Sequence, residues 1–101
     1  MNYYFYKLIP PRKTFATDMT SAEAAIMAKH SDYWKALIGF GQALVAGPVD
    51  DPHGSYGVGI VSVADDVAAN SLGNNDPAIL AEVGFKFEVH RMPSILLPEA
   101  K

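Results

Sequence analysis

The sequence contains no cysteine, and this absence excludes several kinds of chemistry at once. A chain without thiols has no disulfide bonds, no thiolate nucleophile and no cysteine-ligated zinc site. The sequence also has no run near the roughly 20 apolar residues that a membrane-spanning helix needs. Its aromatic N-terminus has neither the basic segment nor the cleavage site of a signal peptide. We therefore expect a soluble, cytoplasmic protein that makes no membrane contact.

Positive charge is also scarce, with 8 Lys and Arg residues against 11 Asp and Glu and a formal net charge of −3. Binding to nucleic acid requires clustered Lys and Arg side chains that displace counterions from the phosphates, and no such cluster exists. No GxSxG motif marks a serine hydrolase. The glycines around Gly57 lack the full GxGxxG spacing and a following helix, which excludes a nucleotide fingerprint.

Half of the 101 residues are hydrophobic, which is enough for the core of one domain. We expect a single domain over 1–101, with a core at about 2–92 and a tail at 93–101.

Thr20 with Glu23 three residues later has the spacing of a capping box at a helix start. The predicted elements are a strand at 2–9, a helix from Thr20 to about Phe40, strands at 42–49 and 56–63, a short helix from Asp65 or Asp66 to 70–72, and a strand at 82–92.

This order of elements predicts an α+β, ferredoxin-like βαββαβ sandwich, in which an antiparallel four-stranded sheet carries two helices on one face. Both sides of the first strand are largely apolar, although the helices cover only one face of the sheet. Pairing of the open face with a second copy would bury the other side. We therefore expect a homodimer.

His30 lies on the apolar stripe of the predicted helix, in line with Ile26, Trp34 and Leu37. Burying an imidazole without a hydrogen-bond partner costs about 1 to 3 kcal/mol. Two interpretations stay open, a core histidine with a satisfied partner and a general base. The helical position alone does not decide between them.

Asp76 precedes Pro77, and an Asp-Pro pair is a good start for a helix or turn. The alternative is that its carboxylate approaches His30 and fixes the tautomer of the imidazole. Trp34 suits either the core or the wall of a site for a flat ligand. Gly47 and Pro48 either end the second strand or allow a ligand to approach the backbone closely.

The three histidines, His30, His53 and His90, do not have the spacing of a preorganised metal site, so we expect no metal. His53 and His90 fall where exposed positions are ordinary. Arg12 and Lys13, in the loop before the helix, either attract an anionic ligand or are solvated charges.

The chain resembles the YCII-related family of small bacterial proteins. The resemblance runs from about Phe5 to Met92 and rests on the helix histidine followed by "YW", the "GP" after the second strand, the glycine-containing third strand, and "DP" before the last strand. It implies a ferredoxin-like fold assembled as a dimeric α+β barrel, with His30 and Asp76 as an active-site pair.

Two functions from different classes follow. The first is an enzyme, independent of cofactors, in which His30 and Asp76 perform general acid/base chemistry. Elimination or isomerisation of a small cyclic or phenolic substrate would suit such a pair, with Trp34, Gly47 and Pro48 as substrate-binding residues. The second is a non-catalytic homodimer that binds or senses a small molecule in the same pocket. The fold by itself does not name the reaction.

Overall fold

A computed structural model describes residues 1–99, which form one four-stranded sheet with helices packed on one face. In chain order, the elements are β1 (Asn2–Ile9), α1 (Phe15–Asp18), α2 (Ser21–Gly39), β2 (Ala43–Val49), β3 (Tyr56–Val63), α3 (Asp66–Asn74), α4 (Pro77–Leu80) and β4 (Lys86–Met92). Neighbouring strands are antiparallel, in the order β2-β3-β1-β4. This confirms the predicted α+β, ferredoxin-like class.

The core lies between the helices and one face of the sheet. From β1, Tyr4, Tyr6 and Leu8 point into it and are buried, whereas the alternate residues on the other face are only half-buried. Trp34 and Leu37 of α2 pack against this face. Because successive strand residues point to opposite sides of the sheet, this half-buried row lies on the second face, which no helix within residues 1–99 covers.

The long helix α2 begins as the sequence predicts. The Thr20 hydroxyl accepts a hydrogen bond from the Glu23 amide at 3.1 Å, and the Glu23 carboxylate accepts one from the Thr20 amide at 2.9 Å. Gly41 follows the helix with φ +78°, a conformation that glycine adopts without a Cβ penalty. Among residues 1–99, no helix is long and apolar enough to cross a membrane.

Residues 1–99 contain four helices, whereas the sequence predicts two. The additional helices α1 and α4 contain four residues each, too few to produce a periodic apolar pattern. Helix α3 also continues two residues beyond its predicted end, to Asn74. The last strand begins at Lys86 rather than at residue 82, because Glu82 and Gly84 adopt positive φ angles of 55° and 104° and form a turn.

The interpretation that Gly47 and Pro48 end the second strand is wrong, because Val49 beyond them still pairs with Tyr56 of β3. Gly47 and Pro48 lie inside β2, where they pair with Val58 and Gly57 of β3. Because β2 is an edge strand, the missing amide hydrogen of proline can face away from the sheet. After β4, residues 93–99 contain no helix or strand. The last two residues of the predicted tail, 100 and 101, lie outside the described residues.

Candidate active site

Asp76 is placed by the start of helix α4. It is the N-cap residue, and its Oδ1 accepts a hydrogen bond from the Ala78 amide at 2.9 Å, while Pro77 occupies the first turn. This is the local arrangement that the Asp-Pro pair favours. The side chain is completely buried. A fully buried carboxylate requires several hydrogen-bond donors, so its surroundings must supply more than the helix amide.

Three side chains supply these donors. His30 Nδ1 lies 2.9 Å from both carboxylate oxygens of Asp76. Trp34 Nε1 donates to Oδ2 at 2.9 Å, and the Tyr6 hydroxyl donates to the same oxygen at 3.1 Å. With the Ala78 amide, four groups contact the roughly four acceptor positions that a carboxylate offers. Asp76 is therefore both the cap of α4 and a hydrogen-bond partner of His30, so its two sequence interpretations are compatible.

The electrostatics of this cluster favour an ionised Asp76. Burial is the largest influence and raises its pKa, but hydrogen bonds from His30 and Trp34 together with the His30 charge and the Ala78 amide outweigh it, so the pKa lies below the ordinary value. Burial and the adjacent Asp76 carboxylate also raise the pKa of Tyr6 far above its ordinary range, so its hydroxyl stays protonated. An ionised carboxylate only accepts hydrogen bonds, hence His30 holds a proton on Nδ1 when the imidazole is neutral.

Helix α2 sets the orientation of two of the donors. His30 and Trp34 are four residues apart and therefore lie on the same helical face, with ring centroids 6.3 Å apart. The Trp34 indole lies over β3 at Gly59, where a Cβ atom would come within 2.5 Å of Cζ3. Gly59 is the cross-strand neighbour of Tyr6, whose ring is 4.8 Å from that of Trp34. A glycine at this strand position thus makes room for the indole that contacts Asp76.

A cavity of about 460 Å³ adjoins the cluster on the side of His30. It lies between α2, α1 and the sheet, and its walls are mainly apolar. The ring of His30, whose side chain is 19% exposed, lines this cavity, while Asp76 is buried behind it. The volume is in the range of small-molecule sites, and a few polar groups in apolar walls are typical of them.

The structure brings the five predicted site residues to this one place. Trp34, Gly47 and Pro48, predicted to bind substrate, all line the cavity, and His30 connects it to Asp76. Sequence reasoning did not identify Tyr6 as part of the cluster. A buried tyrosine hydroxyl needs a hydrogen-bond partner, which was the available signal, but that partner is 70 residues away in the chain.

The other two histidines are separate from this site. His53 Nδ1 lies 3.3 Å from Asp51, and His90 Nε2 lies 3.0 Å from Glu88, both on exposed side chains. Within residues 1–99, no group of three or more His, Asp or Glu side chains is arranged to hold a metal ion.

The sequence model of the YCII-related domain matches residues 1–93. The chain therefore belongs to the YCII-related domain family. No curated protein is significantly similar to it.

Proposed function

We propose that this member of the YCII-related family is a small-molecule enzyme in which His30 and Asp76 perform general acid/base chemistry. The observation that carries the proposal is the contact of His30 Nδ1 with both oxygens of the buried Asp76, at 2.9 Å, on a ring that also lines an apolar cavity. A carboxylate behind the imidazole and a substrate space in front of it are the geometry that a histidine base needs.

In the proposed reaction, the Nε2 lone pair of His30 takes a proton from the substrate, and Asp76 stabilises the imidazolium that forms. The electron pair left on the substrate then either expels a leaving group, giving elimination, or shifts a double bond. In the second case, His30 returns the proton to another atom, giving isomerisation. A positioned base contributes on the order of 10² to 10⁴ in rate, so the substrate must already be acidic at the reacting atom.

The walls of the cavity favour a small cyclic or phenolic substrate. The Trp34 indole provides an aromatic wall beside His30, and the Gly47 and Pro48 backbone provides another wall from β2. Flat rings gain contact area against such walls. The proposed chemistry uses only the side chains of the chain and calls for no cofactor or metal.

A non-catalytic role as a small-molecule-binding or regulatory homodimer is the second candidate, favoured by the cavity alone. In that case His30 is a ligand contact and the substrate proton is not transferred. The two roles differ in turnover, because a binding protein returns its ligand unchanged whereas the enzyme converts it.

The decisive experiment is a thermal-shift screen of small phenols, lactones and cyclic hydroxy acids, followed by NMR detection of conversion of each hit. The wild type, His30→Ala and Asp76→Asn are compared with His90→Ala, which changes an exposed histidine outside the cavity. We expect conversion by the wild type and His90→Ala, and loss of about 10² to 10⁴ in rate in the other two variants. Hits that bind but are not converted would favour the binding role, and equal conversion by all four proteins would contradict the role of His30.

We also propose that the open face of the sheet is covered by a second copy of the chain. Tyr3 and Phe5 of β1 and Ile60 of β3 lie on this face, half-buried and without helices above them. The neighbouring Lys7 and Glu88 give it charges of both signs, which suits a two-fold contact of the patch with itself. Light scattering at micromolar concentration should give the mass of a dimer, and a monomeric mass would contradict this part of the proposal.

A further inference from the structure

The apolar cavity beside His30 has a lysine in its wall. Lys35 is the only Lys or Arg side chain among residues 1–99 that lines it. All 11 Asp and Glu residues of the chain lie within residues 1–99, and none of them lines the cavity. The one permanent charge among these lining residues is therefore positive, and such a space favours a ligand that carries a negative charge.

Helix α2 places Lys35 and His30 on the same wall of the cavity. The helix residues that line it lie three or four positions from one another and form a stripe: Met27, His30, Ser31, Trp34, Lys35 and Ile38. From the geometry of an α-helix, His30 and Lys35 are about 140° apart around the helix axis and about 7.5 Å apart along it. They therefore lie at opposite edges of the stripe, with Trp34 between them.

The ammonium group of Lys35 is available to a ligand. Lys35 is exposed, and no carboxylate lies within 4.0 Å of its amine among residues 1–99. Asp32, one turn earlier on α2, is also exposed but does not line the cavity. A lysine in this position can lay its aliphatic stem on the apolar wall and keep the ammonium in water at the edge of the cavity.

We propose that the substrate is a cyclic carboxylic acid whose carboxylate binds the Lys35 ammonium while its ring lies in the cavity against Trp34. The molecule then extends across the stripe from Lys35 to His30, a separation that one ring with a short acidic arm can span. Both residues belong to the same helix and line the same cavity. The cavity lies on the helical side of the sheet, so the proposed pairing of the open face with a second copy does not cover it.

This inference rests on the proposed function, because it places the ring at the same imidazole, and it narrows the substrate class from small cyclic compounds to acids. Lys35 is a positioning residue and exchanges no proton with the substrate. A carboxylate anchored at one edge of the stripe fixes which atom of the ring faces His30 Nε2 at the other edge. Binding away from the reacting atom orients a substrate in this way.

The test uses two probes of nearly the same shape, phenylacetate and phenylacetamide, which differ in charge. Binding is followed by NMR titration of the His30 ring and of the Trp34 indole, which both line the cavity. We expect the wild type to bind phenylacetate about three- to fivefold more tightly than phenylacetamide, the size of one exposed ion pair. High salt should reduce this preference, because an exposed ion pair is screened.

Three variants locate the charge that is recognised. Lys35→Gln should abolish or reverse the preference for the acid while leaving the affinity for phenylacetamide unchanged, and Lys35→Arg should retain the preference. Lys29→Gln is the matched control, since it removes the same charge from an exposed position of α2 that does not line the cavity. It should keep the preference of the wild type.

The inference is overturned if the acid and the amide bind equally to the wild type, if neither binds, or if the preference survives in Lys35→Gln. Binding of phenylacetate that shifts neither the His30 nor the Trp34 ring signals also overturns it, because the ring would lie outside the cavity. None of these results depends on turnover. Equal binding of acid and amide, with conversion of screened compounds still dependent on His30, would reject this inference and leave the proposed function intact. A preference that depends on Lys35, without conversion of any screened acid, would reject the catalytic role and leave the carboxylate contact intact.

Discussion

Asp76 combines two tasks at one position. It caps α4 through the Ala78 amide and collects the polar hydrogens of His30, Trp34 and Tyr6. In the described part of the chain, every buried side-chain nitrogen and oxygen has a hydrogen-bond partner, and this carboxylate satisfies several of them. A carboxylate with so many donors is held in one orientation, and it holds the imidazole in turn.

Removing this carboxylate should therefore be unusually destabilising. We expect Asp76→Ala to lower the free energy of unfolding by about 3 to 5 kcal/mol, because it leaves buried donors without an acceptor. Asp65→Ala is the matched control, since Asp65 caps α3 through the Ala68 amide but is exposed. Its loss should amount to about 1 kcal/mol. Urea denaturation of both variants measures the difference, and equal losses would mean that Asp76 acts only as a cap.

At the scale of elements, the site depends on how closely α2 approaches β3. Trp34 packs against Gly59, and this contact sets the height of the indole above the sheet. The same helix carries His30 one turn earlier, so a change in its position moves both donors relative to Asp76. The glycine is thus a feature of the site, although its own atoms make no polar contact with the carboxylate.

We expect Gly59→Ala to lower stability by about 1 to 3 kcal/mol, because the added methyl group overlaps the indole. Trp34 is the only tryptophan, so its fluorescence reports the displacement directly. Gly47→Ala serves as the control, since a Cβ at residue 47 meets no atom within 4 Å. Its stability should stay within about 0.5 kcal/mol of wild type. An unchanged emission spectrum and stability in Gly59→Ala would show that the helix does not rest on this contact.

The elements differ in how far the sequence specifies them. The capping box of Thr20 and Glu23 and the branched residues of the strands are local signals, so α2 and the four strands could be predicted. The placement of Pro48 within β2 depends on the strand order of the sheet, which no local pattern contains. The contact between Tyr6 and Asp76 likewise depends on how the sheet and α4 pack in the folded chain. Of the side-chain contacts to Asp76, only that with His30 could be predicted, through the family resemblance.

At the scale of the whole molecule, several carboxylates are held ionised by the fold. The Arg12 hydrogen bonds lower the pKa of Glu23 to about 2, and hydrogen bonds from Thr14 and Arg12 lower that of Asp18. The pKa of Asp76 is also lowered, as a result of hydrogen bonds that outweigh its burial. Groups with a lowered pKa in the folded state stabilise it above their unfolded pKa values, and this contribution is lost as pH falls.

Stability should therefore be retained above about pH 4.5 and fall progressively toward about pH 2, where the unfolded chain binds more protons than the folded one. Arg12→Gln removes the main cause of the Glu23 shift, so its stability should depend less steeply on pH across this window. Lys29→Gln removes a positive charge that has no carboxylate within 4.0 Å among residues 1–99, so this variant should follow the wild type. Urea midpoints measured from pH 2 to 7 test this, and parallel profiles for wild type and Arg12→Gln would contradict it.

In the proposed function, Asp76 holds the Nδ1 proton of His30 and leaves Nε2 free to act as a base toward the cavity. The most direct measurement is the tautomer of His30, determined by ¹H–¹⁵N correlation of the imidazole at a pH where the ring is neutral. We expect a proton on Nδ1 and an unprotonated Nε2 in the wild type, with this preference lost in Asp76→Asn. A proton on Nε2 in the wild type, or the same tautomer in both proteins, would contradict it.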